Sequence, residues 1–129
     1  MGFWATLFGF GSERPYIISA ATREAVEREW KNIDVLRKKG GPSQLRQALI
    51  AADKTLDNVL RDVAKGETMA ERLKNSKTRF DVDFYQKIWS AHKTRNMLVH
   101  ESGYEPSYYI LEEAIDNLRL AIEKLGVSL

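Results

Sequence analysis

Arg95, Asn96 and His100 fall inside one short string, Arg-Asn-Met-Leu-Val-His at 95–100. Arginine is a permanent cation whose planar fork of donors fits a phosphate. Histidine is the side chain whose ordinary pKa suits it to moving a proton near neutral pH. Together they suit phosphodiester chemistry: the arginine on the phosphate, the histidine as general base or general acid, and the amide of Asn96 orienting one or the other. Upstream, Arg72, Lys74, Lys77 and Arg79 gather four cations with no acid among them. They read either as a rim that meets RNA phosphates or as a solvated loop. His92 lies three residues before Arg95 and reads more simply as a helix-face residue than as a second proton carrier.

Other chemistries find little to work with. The chain has no cysteine, which removes disulfides, thiolate metal sites and cysteine nucleophiles. It shows no Gly-rich phosphate loop, no His-Glu-x-x-His and no acidic cluster at metal spacing, so neither metal nor cofactor is expected. Twenty basic against eighteen acidic residues is too even a balance to announce nucleic-acid binding. Any attraction for RNA must come from where the charges sit.

The elements that must position these residues are helical throughout. Val26, Trp30, Ile33 and Arg37 keep helical spacing and predict a first helix over 20–38. It is closed by Lys38, Lys39 and the Gly-Gly-Pro that follows. A second, over 43–64, carries the stripe Leu45, Leu49, Ala52, Leu56, Val59, Leu60 and Val63, with Asp53, Lys54 and Asp57 read as its solvated face. Thr68 and Glu71 form a capping-box pattern that opens a short helix at 69–76. A fourth helix, over 81–101, starts from Asp81 or Asp83. Its stripe runs Phe84, Ile88, Ala91, Arg95, Leu98, with Tyr85, Trp89 and His92 alongside. A cation on an apolar stripe needs a carboxylate, an anion or a partner subunit. The turn at 102–106 and a cap at Ser107 introduce the last helix, whose core face is Leu111, Ala114, Ile115, Leu118, Ile122 and Leu125. The sum is an all-α fold, an up-and-down bundle of four long helices and one short one, occupying 20–129 as one domain.

The string at 95–100 resembles the Arg-x(4–6)-His motif of HEPN domains (higher eukaryotes and prokaryotes nucleotide-binding), and the likeness spans roughly residues 20–125. It implies a small helical bundle and, in many members, a metal-independent endoribonuclease whose site is composed across a homodimer seam. Arg95 would then hold the scissile phosphate, and His100 would serve as base on the 2′-hydroxyl or as acid on the leaving oxygen. Asn96 matches the polar position after the arginine. A cyclic phosphate end would result. On a regular helix Arg95 and His100 stand five residues and ~140° apart, so one chain does not turn both to one face. Either the last turn distorts, or a second copy completes the site. Such a protein could be a toxin or stress effector with a cognate antitoxin.

The first nineteen residues form a separate segment. MGFWATLFGF is apolar and aromatic, with no charge before Glu13, and is too short to span a bilayer. It reads as packing onto the bundle or a partner, as an assembly tail, or as a membrane-surface anchor through residues 1–10. The cysteine-free composition is compatible with the cytoplasm, with membrane association left open. The alternative function is therefore a non-catalytic helical module that dimerises or docks through this segment.

Overall fold

The computed structural model describes residues 17–129, and the expectations for residues 1–16 lie outside them. Five α-helices and one 3-10 turn follow in order: α1 Ala20–Lys39, α2 Pro42–Val63, α3 Met69–Asn75, the turn Lys77–Arg79, α4 Val82–His100 and α5 Tyr108–Leu125. Among the described residues there is no strand, and no helix is long and apolar enough to cross a membrane. The expected all-α bundle is what the chain forms.

Local chemistry explains most of the boundaries. Ser19 accepts from the Thr22 amide at 3.0 Å and so caps α1, while Gly40 closes it in the left-handed region at φ 71°. The second helix starts at Pro42, one residue before the expected range of 43–64. Pro42 supplies a fixed φ at the first turn, where its missing N–H costs nothing, and Gly41 precedes it without a side-chain cap. Thr68 accepts from the Glu71 amide at 3.1 Å, and Glu71 reaches back to the Glu67 amide at 2.8 Å. This is the predicted box, displaced by one residue on its return arm. Asp81 and Ser107 cap α4 and α5 through the amides of Phe84 and Ile110.

Packing places α2 at the centre, against α1, α3, α4 and α5, with α4 also lying along α5. Leu45, Leu49, Leu56 and Leu60 of α2 are fully buried against Ile33, Ile88, Ile115, Leu118 and Ile122. One polar pair sunk in this core is Trp30 with Thr55. The indole N–H donates to the Thr55 hydroxyl at 3.0 Å, and that hydroxyl donates to the Ala52 carbonyl at 2.7 Å. Thr55→Val keeps the shape and strands the indole N–H, which is expected to cost about 1–3 kcal/mol in urea unfolding. An unchanged midpoint would show that the indole finds another acceptor.

Arg37, the charged member of the first helix's stripe, crosses to α5. It donates to Glu112 at 2.8 Å and to Asp116 at 2.7 Å. Burial works against its charge, but the hydrogen bonds to Asp116 and Glu112 outweigh it and raise its pKa above the ordinary value. Beside it, Arg119 of α5 lies over the Trp30 ring, 5.7 Å from the centroid. Long side chains thus fasten α1 to α5 across the flank of α2.

Candidate functional site

Helix α4 carries Tyr85, Trp89, His92 and Asn96 along one side, at steps of four, three and four residues. Tyr85 meets Trp89 edge-on at 6.3 Å, and Trp89 meets His92 at 6.0 Å. This brace pushes the imidazole toward α2, where it is 8% exposed and faces Asp53. Nδ1 of His92 stands 3.0 and 3.1 Å from the two carboxylate oxygens. Asn96 follows one turn on, its side-chain nitrogen 3.5 Å from Nε2 of His92. Its side-chain oxygen accepts from Nη1 of Arg95 at 3.0 Å. The guanidinium returns toward Asp53, with Nε 3.7 Å from Oδ2. That distance sustains attraction but is too long for a hydrogen bond, and Nε is buried with no acceptor.

The four side chains therefore form a ring of polar contacts spanning α2 and α4. It borders a cavity of about 190 Å³ whose lining includes Ile50, Asp53, Lys54, Asp57, His92 and Arg95. Lys54 is exposed at this edge. Arg95 is partly exposed, and among the described residues its Nη2 makes no bond and is not shut away from solvent. A guanidinium held on one edge and open on the other can receive a phosphate oxygen.

His100 stands elsewhere. It is exposed at the last residue of α4. The helix continues regularly beneath it, since the Glu101 amide still reaches the Met97 carbonyl at 2.9 Å. The distortion that would bring His100 round to Arg95 is absent. The structure thus joins Arg95 and Asn96 and leaves His100 at the helix end, sharing a face with Asn96 by its four-residue spacing.

The basic cluster divides likewise. Arg72 is buried against Asp57, with Nε at 2.9 Å and Nη2 at 3.2 Å, and its Nη1 reaches the Gly66 carbonyl at 2.9 Å. Its charge is spent inside the protein. Gly66 permits this approach: at φ 146° a Cβ would come within 2.8 Å of the Arg72 amide nitrogen. Lys77 is exposed, with its ammonium 5.9 Å from the centroid of the Tyr85 ring. Lys74 and Arg79 are exposed to solvent. A rim for RNA would rest on Lys74, Lys77 and Arg79.

Asp53 and His92 have roles the sequence reading did not give them, as does Asp57, read as solvated but receiving the buried Arg72. Asp53, expected on a solvated face, is 3% exposed, and His92 is its partner rather than a surface side chain. The signal was present in the spacing. Asp53 stands four residues after Leu49 and three before Leu56, on the same stripe that those leucines define. An acid at a core position of one helix and a cation at a core position of another, Arg95, announce each other. Compared with protein-family models, curated proteins and solved structures, the chain matches none.

Proposed function

We propose that this chain binds RNA and cleaves it without a metal ion, through a composite site of Arg95, Asn96 and His100 completed by a second copy of the chain. The observation that carries this reading is the half-committed guanidinium of Arg95. One edge is tied to Asn96 and drawn toward Asp53, and the other is open beside a cavity and Lys54. Arg95 supplies the phosphate clamp, and an exposed imidazole on the same helix supplies the proton carrier. Because α4 is regular to its end, Arg95 and His100 of one chain face different directions, which favours a two-fold arrangement of copies over a single-chain site. Lys74, Lys77 and Arg79 would steer the RNA backbone.

The test is incubation of the purified full chain with a mixed RNA pool that includes tRNA, in excess chelator. Cleavage that persists and leaves 2′,3′-cyclic phosphate ends is the expected result. Chelator-sensitive cleavage would overturn the mechanism.

A second reading has its own observation. The start of α5 exposes Tyr108, Tyr109 and Ile110, the first two at 62% and 71%. So large an aromatic display suits a module that associates through this end and has no catalytic role. Absence of cleavage across the RNA pool would favour it.

A further inference from the structure

The hydrogen bonds around the ring of Asp53, His92, Asn96 and Arg95 have only one arrangement in which no donor faces a donor, the Nε–H of Arg95 standing apart without an acceptor. An ionised Asp53 can only accept, and both of its oxygens lie on Nδ1 of His92, so Nδ1 carries the hydrogen. In the neutral ring Nε2 is then a bare lone pair, and the group facing it at 3.5 Å is the Asn96 nitrogen, a donor. With that nitrogen on His92, the amide oxygen is turned to Arg95 and accepts from Nη1 at 3.0 Å. The opposite tautomer would put the hydrogen on Nε2 against the Asn96 nitrogen. To relieve that, the amide would have to turn over, and it would then present its N–H groups to the guanidinium, donor against donor. The state of His92 therefore decides which way Asn96 points, and Asn96 decides whether Arg95 is held. No hydrogen bond ties Arg95 to Asp53 directly, since Nε stays 3.7 Å away. Its side-chain anchorage runs through the amide.

We infer that Asp53 and His92 are positioning residues for Arg95: through the Nδ1–H tautomer of His92 they orient the Asn96 amide so that its oxygen holds one edge of the guanidinium and leaves the other for a phosphate. This inference rests on the proposed RNA site for its purpose, but its geometry can be tested without RNA. Neither residue need touch the substrate, and both are nearly buried. The device resembles the way a metal-bound or catalytic histidine is oriented by a carboxylate behind it, with an arginine as the group ultimately aimed.

The first measurement is long-range proton–nitrogen NMR on the isotope-labelled full chain at mildly alkaline pH. His92 is expected as the Nδ1–H tautomer with Nε2 unprotonated, and the Arg95 Nε–H is expected as a slowly exchanging resonance. An Nε2–H tautomer at His92 would overturn the inference. The second measurement uses His92→Gln and Asn96→Ala. The latter cuts the chain of contacts without disturbing the buried Asp53–His92 pair, so it remains informative if His92→Gln fails to fold. Both are expected to speed exchange of the Arg95 Nε–H, and an unchanged rate in a folded Asn96→Ala protein would overturn the inference.

The third measurement is binding of a short oligoribonucleotide. His92→Gln is expected to weaken it roughly tenfold when Arg95 is present and to add no loss on top of Arg95→Ala. Equal losses in the two backgrounds would show that His92 acts otherwise than through Arg95. If no variant and no wild-type protein binds RNA, the proposed function fails, while the tautomer and the exchange rates still decide the positioning role.

Discussion

His100→Ala is expected to leave an RNA pool intact under conditions where the wild-type chain cuts it, with circular dichroism showing both equally helical. His100 is exposed on the last turn of α4 and belongs to no core contact, so its removal has little to disturb. Losing a positioned proton carrier costs ~10²–10⁴ in rate, enough to erase a slow ribonuclease. Much of the RNA affinity is expected to remain, because a neutral imidazole adds little to phosphate binding. Arg95→Ala is expected to weaken both affinity and cleavage, since its cation acts in the bound and the transition states. Arg95→Lys is expected to fall short of wild type, since an ammonium cannot hold Asn96 with one edge and a phosphate with the other. Equal cleavage by wild type and His100→Ala would place the activity in a contaminant or at another site.

The largest expected effect on stability comes from Asp57→Ala. Asp57 receives two hydrogen bonds from Arg72, whose side chain is only 9% exposed. Removing the carboxylate leaves a nearly buried cation with the Gly66 carbonyl as its remaining partner. Breaking such a pair on one side costs about 3 kcal/mol, because the stranded charge has lost its compensation. Urea unfolding followed by circular dichroism measures it. The double variant Asp57→Leu with Arg72→Met is expected to recover most of the loss, since an apolar pair of similar volume carries no desolvation penalty. A loss in Asp57→Ala as small as that of an exposed ion pair, under about 1 kcal/mol, would mean that water reaches Arg72 freely.

The helices were legible because burial imposes a period. Leu45 to Val63 and Leu111 to Leu125 declare their inner faces, and Asp81, Ser107 and the Thr68–Glu71 pair declare their starts. The start of α2 was harder to place, since Pro42 opens the helix by geometry and not by a hydrogen-bonding cap. The polar ring was half legible. Arg95 stood out as a cation on an apolar stripe, and its need for a carboxylate could be inferred. Which carboxylate could not, because Glu101 and Glu105 lie far nearer in sequence than an aspartate forty-two residues upstream. Only the packing of α2 against α4 selects Asp53. The inward turn of Arg72 is hidden from the sequence for a related reason. Its neighbours Lys74, Lys77 and Arg79 made it look like one of a basic run, whereas α3 turns it inward on Asp57.

The two ends of the described chain are side by side. Arg23 donates to the Gly126 carbonyl at 2.7 Å, Ile18 packs near Gly126, and both Ile18 and Val127 belong to the core. Topologically the bundle is nearer to a ring than to a line, and the order of its helices in sequence is only one of several that the same packing would accept. A permuted chain, joined across this seam and opened in the exposed turn at 101–107, would keep every helix and its neighbours. It would move only α5, to the front of α1, so α2, α3 and α4 and with them the proposed site would keep their order, and the end of α4 that carries His100 would become the new chain terminus. Anything fused to either end of the bundle, by nature or by design, leaves it from one shared corner.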